Sequence, residues 1–162
     1  MASHVLSLYR RITRWPAGHW LFSRAVCFKA PYFASIAPRI ETLEPNRCVA
    51  TIRHRRRVTN HLGTVHAIAL CNLAELTAGL MTDASLPSSM RWIPKGMTVE
   101  YAKKAVGTMC ATALPAQRIV ESAEAYELPV EVTITDPADD IVFRARIAMW
   151  LSPRRPPDEP RS

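Results

Sequence analysis

The sequence predicts an α+β domain in which a curved antiparallel β-sheet wraps around one long central helix, with extra helices at the N-terminus. Three observations lead to this fold class. Residues 65–83 are apolar nearly all round, which is typical of a helix buried on most of its sides. Most of the chain after this helix alternates apolar and polar residues, as half-buried strands do. Short polar turns separate the last strands, which favours antiparallel neighbours.

The first third of the chain has a helical pattern. Apolar residues form a stripe along residues 3–14, with Ser3 as a possible N-cap. A second short helix is expected over residues 20–28, and a further helical turn over 33–38. We therefore expect residues 1–35 to form a helical extension outside the main domain.

Strand character begins at residue 39. Two strands are predicted over 39–43 and 48–58, with Pro45-Asn46 as the turn between them. The long helix follows, with Thr64 as its expected N-cap. Four strands are predicted after it, over residues 92–103, 108–114, 126–135 and 141–151. The last two have the pattern of a hairpin around residues 136–140.

These elements set the expected domain limits. The main domain should span residues 36–152, and the Pro- and Arg-rich tail 153–162 should be disordered. At 162 residues, the chain is long enough for one domain with a substantial core. A sheet curved around the apolar helix would bury it, and that arrangement is the hotdog fold.

Cysteine usage and the N-terminus favour a cytoplasmic protein. The four cysteines form no CxxC pair, so neither a zinc ribbon nor a disulfide scaffold is expected. No secretory signal is apparent. The apolar run 65–81 is interrupted by Asn72, Glu75 and Thr77, which favours a buried helix over a membrane span. We therefore expect no membrane partner.

The net charge of +7 is concentrated in three clusters of basic residues. These clusters could attract a polyanion or a small phosphorylated ligand such as coenzyme A. No recognisable nucleic-acid-binding motif accompanies the charge, so nucleic acid is not an expected partner. The clusters are at Arg10, Arg11 and Arg14, at residues 53–57, and at Arg154-Arg155.

Glu75 is the most informative polar residue, because it lies within the apolar helix. A buried, unpaired carboxylate costs several kcal/mol or takes up a proton. A chain keeps such a group when it is paired or used, and it is then suited to general-base catalysis or direct attack. The alternative is a glutamate that reaches solvent at the helix edge or pairs with an arginine.

Other polar residues lie close to this glutamate in sequence. His66 falls in the first turn of the helix, where free backbone N–H groups could polarise a carbonyl as it becomes an oxyanion. The alternative for His66 is a capping or packing role. Asn60 could position a water molecule or that carbonyl, but it could equally be a turn residue. Asn72 could hydrogen-bond to Glu75 or to a substrate. Two histidines, His61 and His66, lack a third ligand at recognisable spacing, so no metal is expected.

The spacing of His66 and Glu75 adds a constraint. Nine residues of helix place them on opposite sides, roughly 13 Å apart along the axis. One helix therefore cannot bring both to one substrate atom. If both act, the glutamate must come from a second copy of the helix, which predicts a composite site across a dimer.

The motif Asn60-x-x-Gly63-x-x-His66, followed by Glu75, resembles the signature of PaaI-like hotdog thioesterases. In that family the pattern is approximately N-x-x-G-x-x-H-G-G, with an acidic residue further along the helix. Residues 58–83 and 92–103 resemble in particular an uncharacterised hotdog branch known only as a domain of unknown function. The resemblance covers about residues 36–151.

The resemblance implies an acyl-CoA thioesterase. Glu75 would be the base or nucleophile, and Asn60 would orient the thioester or the water. Backbone amides from His66 to Ile68 would form the oxyanion site. The chain departs from the family at Ala67-Ile68, where Gly-Gly is common, and these side chains would crowd the carbonyl or shift the substrate.

The same resemblance defines the expected partners. The substrate would be a thioester of coenzyme A or of an acyl carrier protein, with no further cofactor, and the enzyme would be a homodimer or a dimer of dimers. Gly63 would allow close approach to the substrate. Residues 92–97, at the start of a predicted strand, have two interpretations. Met97 could line an acyl pocket and Lys95 could bind phosphate. Alternatively, both residues could belong only to the core and a turn.

Three alternatives to hydrolysis follow from the same residues. A hotdog dehydratase or isomerase would also use a histidine with a carboxylate. A non-catalytic acyl-CoA- or lipid-binding protein would explain Ala67-Ile68 in place of Gly-Gly. Nucleic-acid binding rests on charge alone.

Overall fold

The computed structural model describes residues 3–154 as an α+β domain, and the predicted fold class is confirmed. Six antiparallel strands form one sheet in the order β1-β2-β4-β5-β6-β3, which curves around the long helix α3. The helices are α1 (His4–Ile12), α2 (Gly18–Lys29) and α3 (Ala67–Ser85). The strands are β1 (Arg39–Glu44), β2 (Arg47–Ile52), β3 (Met90–Tyr101), β4 (Met109–Pro115), β5 (Tyr126–Thr135) and β6 (Ile141–Pro153).

The N-terminal helices are tied to the sheet and to α3. Ser3 caps α1 as predicted, because its hydroxyl accepts a hydrogen bond from the Leu6 amide at 3.2 Å. The Tyr9 hydroxyl donates to the Glu41 carbonyl at 2.9 Å, and the Ile40 amide donates to the Ser23 hydroxyl at 2.9 Å. A short 3-10 helix, Pro31–Ser35, lies two residues earlier than the predicted turn. The extension therefore packs directly against β1.

The predicted strand 48–58 ends early, at Ile52. The ladder between β2 and β4 stops at the same level, since Ile52 pairs with Met109, the first residue of the antiparallel strand β4. The chain then makes a 3-10 turn at Arg56–Val58. Beyond that turn, the Val58 carbonyl accepts a hydrogen bond from the His66 amide at 2.8 Å. This bond holds the segment before α3 against the start of the helix.

Helix α3 begins at Ala67, so the prediction that Thr64 caps it is wrong. His66 is the N-cap instead, and its Nδ1 accepts a hydrogen bond from the Ile68 amide at 3.1 Å. An imidazole nitrogen here does what a serine or aspartate oxygen usually does. The interior of the helix is apolar, and Leu73, Ala74 and Met81 are fully buried against the sheet.

The remaining features concern the chain end and the cysteines. Strand β6 runs through Pro153, and the rest of the predicted disordered tail, from residue 155, lies outside the described residues.

All four cysteines are free; Cys27 and Cys48 are buried, whereas Cys71 and Cys110 are partly exposed. Burial raises the pKa of the Cys48 thiol to about 12. Among residues 3–154, no helix is long and apolar enough to cross a bilayer.

Candidate functional site

One stripe of α3 is left largely uncovered by the sheet and the N-terminal helices. Its partly or fully exposed members are Ile68, Cys71, Glu75 and Asp83. Their spacing of three, four and eight residues places them on one face of the helix. The expectation that Glu75 is buried is therefore wrong for the single chain. The carboxylate is exposed because it lies on this uncovered stripe.

A cavity of about 690 Å³ lies beside the stripe. Glu75, Gly79 and Asp83 of α3 form one wall, and the start of α1, the end of α2 and the start of β3 form the others. Its volume is in the range of small-molecule binding sites. Most of the lining is apolar and includes Val5, Val26, Phe33, Leu80, Leu86 and Trp92. The cavity can therefore hold an apolar chain with a carboxylate at its wall.

Trp92 is fixed at the wall by two contacts with α3. Its indole Nε1 donates a hydrogen bond to Asp83 Oδ1 at 2.7 Å. Its ring also packs on Gly79, where a Cβ would lie 2.9 Å from the ring atom Cη2. This arrangement was not predicted from the sequence. A glycine inside a helix, four residues before an aspartate on the same face, was the signal that could have revealed it.

The N-terminus of α3 offers fewer free amides than predicted. Of the three amides from His66 to Ile68, the His66 amide donates to Val58 and the Ile68 amide donates to the His66 ring. Only the Ala67 N–H lacks a partner within residues 3–154. Because the His66 Nδ1 accepts a hydrogen bond, its other nitrogen carries the proton in the neutral ring. Of the three amides predicted to form an oxyanion site, only that of Ala67 is therefore free within residues 3–154.

The loop before the helix is held by its own hydrogen bonds. Asn60 Oδ1 accepts from the amides of Leu62 and Thr64, at 2.9 and 3.2 Å, and its Nδ2 donates to the Thr64 hydroxyl. These are the bonds of a turn residue, the alternative that the sequence left open. His54, which was not predicted from the sequence, connects this loop to the one between β3 and β4. Its Nε2 contacts the Gly63 carbonyl, and its Nδ1 accepts a hydrogen bond from the Gly107 amide.

The backbone conformation at position 63 requires a glycine, whereas the packing around it does not. Its φ is +74°, and a Cβ there would contact nothing within 4 Å. We expect Gly63→Ala to lower the free energy of unfolding by about 1 kcal/mol, because alanine disfavours this region. Gly96→Ala is the matched control, since Gly96 is equally open and has no positive φ. Equal effects of the two substitutions in urea denaturation would contradict this role.

The side chain of Asn72 contacts the N-terminal extension and not Glu75. It is buried, and its Nδ2 donates to the Ser35 hydroxyl at 3.1 Å. Its Oδ1 is also buried and has no hydrogen-bond partner within the described chain. A buried carbonyl left without a partner costs about 1–3 kcal/mol, and such groups are commonly satisfied by a bound water or ligand.

Two predicted binding residues lie outside the cavity. The Lys95 ammonium lies 3.6 Å from the centroid of the Trp150 ring. Trp150 pairs with Ile93, whereas Trp92, at the cavity wall, pairs with Leu151. Because side chains alternate along a strand, Trp150 points to the other face of the sheet. Met97 is exposed on β3 and does not line the cavity.

Tyr101 joins the uncovered stripe from β3. Its hydroxyl lies 3.3 Å from the Cys71 sulfur, one helical turn before Glu75. This hydrogen bond, together with burial, raises the pKa of Tyr101 to about 12. The phenol therefore keeps its proton at physiological pH, and either its hydroxyl or the Cys71 thiol can donate the hydrogen bond between them. Neither residue was singled out from the sequence.

Solved structures share this fold. A genomics crystal structure without a functional name is 47% identical, with a TM-score of 0.79, covering 93% of this chain and 97% of that one. A Pseudomonas aeruginosa protein of unknown function, described as a probable thioesterase, is 22% identical (TM-score 0.72; 86% and 97% covered). A Haemophilus influenzae thioesterase is 13% identical (TM-score 0.68; 79% and 87% covered). No curated protein matches the chain.

A family model also matches most of the chain. Residues 18–151 match the family described as a domain of unknown function, DUF4442. The match begins at the first residue of α2 and ends within β6, so it includes much of the N-terminal extension as well as the sheet and α3. The chain belongs to the DUF4442 family and has the hotdog fold.

Proposed function

We propose that this protein is a thioesterase that hydrolyses acyl-CoA thioesters in the cytoplasm, at a site shared by two chains. Glu75 acts as the general base or the nucleophile, and the Ala67 amide stabilises the oxyanion. The observation that carries the proposal is the position of Glu75, a carboxylate on a largely apolar helix at the wall of a mostly apolar cavity. The second carboxylate of this wall, Asp83, accepts a hydrogen bond from Trp92, whereas Glu75 forms no ion pair within residues 3–154. The solved thioesterases with the same fold support this reaction class.

The carboxylate suits either catalytic route. As a general base, it would take a proton from water attacking the thioester carbonyl. As a nucleophile, it would form an anhydride that water then hydrolyses. Both routes release a free thiol and a carboxylic acid, and both require an ionised carboxylate next to the acyl chain. In this protein the acyl chain would occupy the cavity between α3, Trp92 and the N-terminal helices.

The edge of the sheet supports a dimer. Strand β3 has a neighbour on one side only, and Ile93, Met97 and Tyr101 on it are exposed. Long edge strands with apolar side chains are seldom left open, because they pair readily with other chains. The part of β3 after the bulge at Pro94/Gly96 is regular. We infer that it pairs with the same strand of a second copy.

Such a dimer would bring the two halves of the site together. Helix α3 runs antiparallel to β3, since Cys71 contacts Tyr101 and Asp83 contacts Trp92. Antiparallel pairing of two β3 strands would place the Tyr101 end of one chain near the Trp92 end of the other. The N-terminus of α3, with Ala67, would thereby approach the Glu75 cavity of the second copy.

Coenzyme A is the favoured carrier of the acyl group because four arginines precede the loop that leads into α3. Arg53, Arg55, Arg56 and Arg57 are exposed, and none of them forms an ion pair within residues 3–154. They precede the loop that leads into α3. Guanidinium groups bind phosphates with two parallel hydrogen bonds. This cluster could hold the phosphates of coenzyme A outside the catalytic site.

The test is release of free thiol from a panel of acyl-CoA substrates, from acetyl to stearoyl, by the purified protein. We expect turnover of at least one chain length above the rate in buffer, with the thiol and the free acid formed in equal amounts. If no member of the panel is hydrolysed, the proposal fails. Tight binding of an intact acyl-CoA in calorimetry would then favour the non-catalytic binding protein, which the single free amide at Ala67 also fits.

Trp92 is a large side chain that lines the cavity with Glu75, so its removal should enlarge the cavity and change the chain-length preference. We expect Trp92→Ala to shift the optimum of kcat/KM to longer acyl chains, by about fourfold for each additional buried methylene. Trp150→Ala is the matched control, because that ring lies on the opposite face of the sheet. The ratio of kcat/KM values between two chain lengths is the measurement, since it is independent of the folded fraction. An unchanged ratio would place the acyl chain elsewhere.

A further inference from the structure

Five large apolar side chains are exposed within a short segment of the N-terminal extension. Phe28 is 90% exposed, Trp15 73% and Tyr32 72%. Trp20 and Leu21 are also more than half exposed. Single exposed apolar residues are ordinary, but large aromatic side chains concentrated within eighteen residues are not. We therefore infer that a partner covers these side chains.

These side chains lie on the outer side of α2 and at its two ends. Phe22, Ser23 and Cys27 of α2 are buried, facing the domain. Trp20, Leu21, Arg24 and Phe28 are exposed, at helical spacing on the opposite side. Trp15 precedes α2 and Tyr32 follows it. We call this surface, comprising Trp15, Trp20, Leu21, Phe28 and Tyr32, the aromatic face.

The segment that carries the aromatic face is rich in basic residues and contains no acidic ones. The first 40 residues contain six lysines and arginines and neither aspartate nor glutamate. Arg10, Arg11, Arg14, Arg24 and Lys29 are all exposed. None of these five forms an ion pair within residues 3–154. Most of the protein's net positive charge is therefore concentrated on this extension.

We propose that the aromatic face docks on the surface of an anionic lipid bilayer. Tryptophan and tyrosine rings favour the interface between headgroups and acyl chains, and leucine and phenylalanine insert their apolar side chains below it. The surrounding arginines and lysine bind the anionic headgroups. This partner differs from the expectation of no membrane contact, which rested on the absence of a spanning segment.

The charge distribution disfavours a second copy of the chain as the occupant. A two-fold contact between two aromatic faces would bring the unpaired arginines of both copies together, and like charges across an interface are costly. A nucleic acid would meet the basic residues but would leave Leu21 and Phe28 without apolar surroundings. An anionic bilayer satisfies both the charge and the apolar side chains.

Docking here would also affect access to the cavity. Val26 and Lys29 at the end of α2 line the cavity, so α2 contributes to both surfaces. A bilayer held against the aromatic face would lie close to the cavity, where lipophilic acyl chains partition. This last step rests on the proposed thioesterase function, whereas the docking itself does not.

The test is flotation of the full chain with vesicles of phosphatidylcholine alone or with phosphatidylglycerol. We expect binding to the anionic vesicles only, weakening as salt is raised. The triple variant R10E/R11E/R14E should bind about 100-fold more weakly, and L21S/F28S should lose binding at any salt concentration. As controls outside the N-terminal extension, R47E/K104E/R118E reverses three exposed charges that form no ion pair within residues 3–154, and V106S/V120S replaces two exposed apolar side chains. Both controls should retain most of the binding.

Four results would overturn the proposal. The first is no binding to anionic vesicles, and the second is equal loss in the test and control variants. The third is a change in oligomeric state by light scattering in L21S/F28S, which would assign the face to a second copy. Retention of single-stranded RNA by the wild type but not by R10E/R11E/R14E, without vesicle binding, would assign it to nucleic acid. Because hydrolysis of a short acyl-CoA is measured without vesicles, failure of docking and failure of the proposed thioesterase activity are distinguishable.

Discussion

Replacing Glu75 by glutamine removes thioester hydrolysis and leaves the protein folded. Glutamine keeps the size and hydrogen-bonding shape of the side chain, but it can neither take a proton nor attack a carbonyl. We expect kcat to fall by about 10²–10⁴-fold. Because Glu75 is exposed and forms no ion pair within residues 3–154, thermal unfolding should be unchanged. The rate of free thiol release and the Tm are the two measurements.

Glu124→Gln is the matched control for this change. Glu124 is an exposed glutamate in the segment between β4 and β5, and its side chain takes no part in the cavity. It should hydrolyse the substrate at the wild-type rate. A Glu75→Gln protein as active as this control would remove the carboxylate from the mechanism.

Replacing Ala67 by proline also removes hydrolysis, by a different route. Ala67 is the first residue of α3, and its N–H is the one amide at this helix end without a partner within residues 3–154. Proline lacks that N–H but is well tolerated at the first helical position. The preceding residue, His66, already has the extended conformation that proline requires (φ −65°, ψ 138°). Loss of one oxyanion donor should lower kcat by about 10²–10³-fold.

Ala67→Gly separates loss of the amide from loss of the side chain. Glycine keeps the N–H, so this variant should remain active. If Ala67→Pro is as active as Ala67→Gly, the oxyanion is not bound by this amide. If Ala67→Pro has a lower Tm than Ala67→Gly, the helix start itself is disturbed, and circular dichroism would report it.

Much of the fold follows from local patterns in the sequence. The all-round apolar stretch gave α3 to within two residues at each end, and the alternation of Val130, Val132 and Ile134 gave the bounds of β5. The errors lie where a local signal competes with a distant contact. Thr64 is a better N-cap by residue type, yet His66 caps the helix, because its backbone is fixed by the Val58 carbonyl, eight residues away in sequence.

The site was only partly predictable for the same reason. Glu75 and the helix N-terminus could be found from sequence, since each is a polar feature in or beside an apolar run. The cavity could not, because α1, α2 and β3 form its walls from residues far apart in the chain. The exposure of Glu75 and the Trp92–Asp83 hydrogen bond likewise depend on which side of α3 the sheet leaves open.

Pairing the two inactive variants in one dimer tests the shared site most directly. Glu75→Gln and Ala67→Pro chains, carrying different tags, are co-expressed, and the mixed dimer is isolated by two affinity steps. One of its two sites would combine an intact Ala67 amide with an intact Glu75, so we predict about half of the wild-type rate per dimer. A mixed dimer no more active than its two parents would contradict the composite site, and failure to isolate any mixed dimer would contradict pairing of the chains.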